Sequence, residues 1–125
     1  MKLRLELFVR NIEKSIEFYH NVLGFSLPED RNKNYLPVRK GDVVLGISEM
    51  ENLPGCHPLK ARRGGQPFGL GVEIVLEVEE VKDIYQKVVT SGHPIETELT
   101  SRPWGLDDFR IIDPDGYYLR ISSKS

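Results

Sequence analysis

A chain of 125 residues with a formal charge of -2 is long enough to bury one core and fits a single domain. The balance of 17 basic against 19 acidic residues, with a pI near 5.9, argues against an electrostatic grip on nucleic acid or an anionic membrane. One cysteine, Cys56, excludes an intrachain disulfide, and no apolar run reaches membrane-spanning length.

The elements follow in chain order. Met1-Lys2 leads directly into a strand pattern without a signal peptide, so the expected location is cytoplasmic. Leu3, Leu5, Leu7 and Val9 alternate with Arg4, Glu6, Phe8 and Arg10, the period of a strand with one apolar face. Asn11 can cap the helix that follows. Ile12, Ile16, Tyr19 and Leu23 give that helix an apolar stripe, and Gly24 ends it. Short strands are predicted at Phe25 to Leu27, Tyr35 to Val38 and Val43 to Ser48. Turn residues at Pro28 to Asn34 and at Lys40-Gly41-Asp42 separate them.

From Val72 the order begins again. Ile74, Leu76 and Val78 alternate with Glu73, Val75 and Glu77; Val81, Ile84, Tyr85 and Val88 form a second helical stripe, closed by Gly92. Strands are predicted at Pro94 to Leu99, Asp107 to Ile112 and Tyr117 to Ser122. The turn Asp113-Pro114-Asp115-Gly116 joins the last two: Pro presets φ, Asp bonds nearby backbone, and Gly accepts positive φ. The halves align at an offset of 69 in the first strand and 74 in the last, with the extra residues expected around Ser101 to Asp108. The organisation predicted is one domain, 1–125, of a βαβββ module (1–49), a linker (50–69) and a second βαβββ module (70–125). The basic run Lys60-Ala61-Arg62-Arg63 reads as solvated linker. Periodicity alone also permits other α+β pairings, a ferredoxin-like one among them.

Two blocks narrow the choice. Val9 to Tyr19 with Val22-Leu23-Gly24-Phe25, and Glu77 to Val81 with Trp104-Gly105 and Asp113 to Gly116, make the chain resemble the glyoxalase/bleomycin-resistance/extradiol-dioxygenase superfamily, the vicinal oxygen chelate fold. The resemblance covers the chain apart from the linker. It implies an α+β fold in which the curved mixed sheets of two βαβββ modules enclose a cavity, commonly in a homodimer. Trp-Gly shortly before the turn is similar to the bleomycin-resistance-like binding proteins, which hold a ligand without chemistry.

The resemblance also implies a divalent metal in the superfamily's enzymes, held by His, Gln or Glu from the first and last strands of each module. Those positions fall here on Arg4, Gly46, Glu73 and Arg120. Only Glu73 can donate to a metal, because a guanidinium stays protonated and has no lone pair to give. The three histidines read as capping or surface residues: His20 ends the first helix, His57 lies in the linker and His93 follows the second helix. Cys56-His57 lacks a second pair at zinc spacing. The expected cofactor and metal are therefore none, and no nucleophile–base pair marks a catalytic centre.

Strand parity sends Leu5, Leu7, Val9, Ile74, Leu76, Val78, Leu119 and Ile121 under the helices. Arg4, Glu6, Phe8, Glu73, Glu77, Tyr118 and Arg120 face the other way, toward the implied cavity, together with Val75 and Ser122. Charges on such a face must pair or bind something charged. Arg4 and Arg120 are expected to pair with Glu73 and Glu6, or one arginine waits for a ligand carboxylate or phosphate. Trp104 is either a lid over a planar ligand or a core or dimer-interface residue. The function expected is metal-independent binding of a small molecule by a non-enzymatic homodimer. The competing expectation is a metal-dependent lyase, isomerase or dioxygenase with an altered metal site.

Overall fold

A computed structural model of the chain describes residues 1–32, 34–60 and 64–124. The core of the predicted basic run, 61–63, lies outside them, as does residue 33 of the first predicted turn. The chain forms two compact units, Met1–Gln66 and Pro67–Ser125. The residues expected as linker are thus divided, those up to Gln66 with the first unit and Pro67 onward with the second.

In the first unit, β1 (Leu5–Val9), β2 (Leu36–Lys40) and β3 (Val43–Glu49) form a sheet in the order β1-β3-β2. β1 runs parallel to β3 with Leu5 beside Leu45, and β2 runs antiparallel to β3. A parallel pair needs a crossover, and helix α1 (Ile12–Ile16) begins it. Asn11 caps α1, its side-chain oxygen accepting from the Lys14 N–H at 3.2 Å. Leu7, Val9, Leu36, Val38, Leu45 and Ile47 bury one face of this sheet, with Ile12, Ile16 and Leu23 from the crossover also buried. Burying each such side chain stabilises the fold by about 1.5–3 kcal/mol before entropy is counted.

Two expectations are corrected here. The first helix is not one α-helix. After Ile16 it widens into a π-helix, Glu17–Val22, in which the Leu23 N–H bonds the Phe18 carbonyl five residues back at 3.0 Å. The wider turn lets the neighbours Phe18 and Tyr19 both be buried, edge to face with ring centroids 4.8 Å apart. The strand expected at Phe25 to Leu27 is reduced to one antiparallel bridge, Ser26 with Arg39. Pro28, with no N–H, cannot extend the pairing as a donor.

In the second unit, β4 (Glu73–Val78), β5 (Thr97–Ser101), β6 (Asp107–Ile112) and β7 (Tyr118–Ser123) form a sheet in the order β4-β7-β6-β5. β4 lies parallel to β7; β6 is antiparallel to both β7 and β5. Helix α2 (Val81–Ser91) makes the crossover and ends at Gly92, whose φ of 83° is the left-handed cap conformation. α2 packs on β6 and β7, and Tyr85 meets Phe109 with ring centroids 5.0 Å apart. β5 starts three residues later than expected, at Thr97, and a register shift between Thr97 and Thr100 breaks its pairing.

The turn between β6 and β7 also fastens the start of this unit. Asp113 Oδ1 accepts from the N–H groups of Asp115 and Tyr117 at 2.8 and 2.9 Å. The Asp115 carbonyl accepts from the Phe68 N–H at 2.9 Å. Phe68 is buried and packs edge to face on Tyr117.

Candidate functional site

Each sheet has one apolar face and one polar face, and the registers fix which residues share the polar one. In the second unit Glu73 lies beside Tyr118, and Tyr118 beside Ile112. One step along, Val75 lies beside Arg120, Arg120 opposite Arg110, and Arg110 opposite Thr97. The next row is Glu77, Ser122 and Asp108.

Glu73 sits between two guanidiniums. Its carboxylate lies 3.1 Å from Arg120 Nη2 and 3.5 Å from Arg110 Nε. Beyond this group, the Tyr118 hydroxyl donates to Glu96 at 3.1 Å and the Thr97 hydroxyl donates to the same carboxylate oxygen. Bonds from Thr97 first, and then Tyr118, hold the Glu96 carboxyl below its ordinary range. Burial, followed by the bond to Glu96, pushes the Tyr118 phenol up. In the third row Asp108 is buried and Arg102 reaches it with Nε and Nη2, each 2.9 Å from Oδ1.

The first unit has a smaller polar group. Arg4 Nε lies 3.1 Å from Glu6 Oε1, and the Tyr35 hydroxyl donates to that oxygen at 3.3 Å. Glu6 lies beside Gly46 in the sheet. A Cβ added at Gly46 would strike the Glu6 carboxylate and the Tyr35 hydroxyl. Glu6 therefore covers the space that a side chain at position 46 would fill. Burial, then the nearby Glu6 charge, raises the Tyr35 phenol.

Arg4 pairs with Glu6, and Arg120 with Glu73, each within its own unit. Glu77 is exposed on the polar face of the second sheet, and Phe8 is half-buried in β1. Trp104 is 60% exposed in the loop between β5 and β6, which removes the core role considered for it. The histidines bond locally: His20 Nδ1 lies 2.6 Å from the Phe25 carbonyl, His57 Nδ1 accepts from the Leu59 N–H, and His93 Nε2 lies 2.8 Å from the Ile112 carbonyl.

Sequence reasoning passed over Arg110, Tyr35 and Glu96 as site members. A signal existed for Arg110. A three-residue loop between Asp113 and Tyr117 sets the hairpin register, and counting back from it places Arg110 opposite Arg120. Tyr35 and Glu96 fall within the predicted strands 35–38 and 94–99 but lie one residue before β2 and β5, so strand parity does not fix where their side chains go.

The donor set does not fit the divalent metal that the superfamily's enzymes would hold. Of Arg4, Gly46, Glu73 and Arg120, two are cationic and one has no side chain. The fourth, Glu73, is engaged by two guanidiniums whose charge opposes a cation. Among the described residues, no three His, Cys, Asp or Glu side chains group as metal ligands. No helix among them is long and apolar enough to cross a membrane.

Known proteins fit this architecture. The chain is 29% identical over 117 residues to a bleomycin resistance protein from Geobacillus stearothermophilus, covering 86% of this chain and 84% of that one. It is also 29% identical over 122 residues to a lactoylglutathione lyase from Neisseria meningitidis serogroup A, covering 93% and 85%. The crystal structure of TioX from Micromonospora sp. ML1 superposes with a TM-score of 0.76 at 16% identity, covering 98% of both chains, a likeness of fold. The family model for the Glyoxalase/Bleomycin resistance protein/Dioxygenase superfamily matches residues 3–121. With two βαβββ-type units and a match of that length, the chain belongs to the glyoxalase/bleomycin resistance protein/dioxygenase superfamily.

Proposed function

We propose that this protein binds a small organic molecule without a metal, as a homodimer, using the polar faces of its sheets. The observation that supports this most directly is the capture of Glu73 by Arg110 and Arg120. Glu73 is the one metal donor among the four superfamily positions, and a carboxylate held by two guanidiniums is a poor ligand for a divalent cation. Identity to a bleomycin resistance protein supports a role toward a small compound. Arg4, Glu6, Phe8, Glu73, Glu77, Trp104, Tyr118 and Arg120 are the residues proposed to meet the ligand.

Equal identity to a lactoylglutathione lyase supports a second reading, an enzyme that holds its metal through other ligands. Metal analysis of protein purified without chelator separates the two. Substoichiometric nickel, zinc, manganese and iron are expected, with a dimeric mass by light scattering. One equivalent of any of these metals would overturn the first reading.

A further inference from the structure

We propose that the polar face of the second sheet binds an organic monocarboxylate, and that Glu73 occupies the ligand's place until it arrives. This rests on reading the chain as a binding protein and adds the class of ligand. The β6–β7 register sets Arg110 directly opposite Arg120. Like charges so placed destabilise a sheet, and these are largely shielded, at 21% and 28% exposure. Shielding makes their repulsion stronger than it would be in water.

One carboxylate bridges them, so the group of three carries a surplus positive charge. Of the neighbouring acids, Glu77 in the next row stands exposed to water, and the other two are engaged elsewhere. Glu96, near enough to Arg110 to feel its charge, accepts bonds from Thr97 and Tyr118. Asp108 is bound by Arg102. Donor capacity also remains. A guanidinium carries five N–H groups, and Arg120 Nε is shielded from solvent without a hydrogen-bond acceptor among the described residues.

The seated acceptor indicates the kind of anion. Glu73 is already a carboxylate that reaches both guanidiniums, so a ligand carboxylate can exchange for it with the same partners. A phosphate dianion would exceed the single surplus charge. The surroundings indicate the rest of the molecule. Val75 lies beside Arg120 and Ile112 lies two residues from Arg110, both on this face and both exposed, with the Tyr118 ring between β4 and β6. An apolar or aromatic body attached to the carboxylate can rest there.

Exchange makes a signed prediction. While Glu73 is seated, the competent state is only a fraction of the population, and the apparent dissociation constant rises by that fraction. Removing its charge tightens binding, whereas removing Arg120 abolishes it. The test follows the arginine Nε–H signals of nitrogen-15-labelled protein by NMR during titration with benzoate, its neutral isostere benzamide, and inorganic phosphate. Benzoate is expected to shift the Arg110 and Arg120 signals to saturation, and benzamide and phosphate are not. Glu73→Gln is expected to lower the benzoate dissociation constant roughly tenfold, as for a competent state about one-tenth populated. Arg120→Met is expected to lose the response.

A benzoate titration that moves neither arginine overturns the proposal, as does phosphate acting as strongly as benzoate, or weaker benzoate binding in Glu73→Gln. The comparison of benzoate with benzamide uses the unaltered protein and does not depend on any variant folding. Binding of uncharged compounds alone removes the carboxylate class and leaves the binding-protein reading standing. A stoichiometric metal on Glu73 removes both.

Discussion

An added Cβ at Gly46 would strike Glu6 and Tyr35, and at the repeat-equivalent position the second unit carries Arg120. Parity and the repeat together placed Glu6, Glu73 and Arg120 on polar faces. They could not show that Glu6 folds over Gly46, because that depends on the vacancy left by glycine and on Tyr35 arriving from outside the strands. The Arg102–Asp108 pair was equally hidden in the sequence, since the exact start of the strand, and with it the side that Asp108 faces, is not legible there. Asp108 is 1% exposed, and its Oδ2 has no hydrogen-bond partner among the described residues. Taking one charge from a buried pair strands the other, at a cost of roughly 3–5 kcal/mol. Arg102 keeps some contact with water, so Asp108→Asn is expected to destabilise by about 2–3 kcal/mol, somewhat below that range. Urea unfolding measures it. A change under about 0.5 kcal/mol, the size of an ordinary surface substitution, would show that the pair adds nothing.

Strand β5 is the exposed edge of the second sheet, and its pairing to β6 is broken by a register shift. The bonds of Tyr118 and Thr97 to Glu96 tie the approach to this strand onto β7, two strands away. They predict a pH profile. The Glu96 carboxyl is depressed below 4.5, so its contribution is present above that value and is lost as pH falls through its folded pKa. The Tyr118 phenol is raised above 10.0, so its contribution is present below that value and is lost as pH rises through its folded pKa. Tyr118→Phe is expected to flatten the alkaline limb of the urea midpoint against pH and to soften the acid limb. The acid limb softens only in part, because the Thr97 bond, the larger cause, stays. Unchanged limbs in both directions would remove this tie. At the same scale, element order was legible because hydrophobic period distinguishes strand from helix. The spacing of Ile12, Ile16, Tyr19 and Leu23 fits an α-helix throughout, and it conceals the π-turn because Phe18 then looks like an exposed neighbour of Tyr19. Phe25 to Leu27 has strand composition but lacks the length to pair beyond Ser26.

The two units repeat one plan, and the strand registers show how closely. Leu5 lies beside Leu45 as Ile74 lies beside Leu119, which reproduces the offsets of 69 and 74 read from the sequence. Val38 and Ile111 take the same place against those strands, at an offset of 73. Four of the five extra residues therefore fall between the first strand and β6, and one falls in the turn between β6 and β7. That turn does more than reverse the chain. Gly116 has a φ of 102°, which side-chain-bearing residues rarely adopt. A Cβ there would come 2.7 Å from Pro67 Cβ and 2.8 Å from Pro67 Cα, where the chain enters the second unit. The obstruction includes backbone, so no flexible side chain can swing aside. Gly116→Ala is expected to cost about 1–3 kcal/mol for the backbone conformation and a further 1–3 kcal/mol for the overlap. The second part is separable. Pro67→Gly in the same chain removes one atom of the clash, so the double variant is expected to recover part of the loss relative to the sum of the single changes. A double-mutant cycle by urea unfolding measures that recovery. Strict additivity would mean that the Pro67 side chain contributes nothing to the cost of a side chain at position 116.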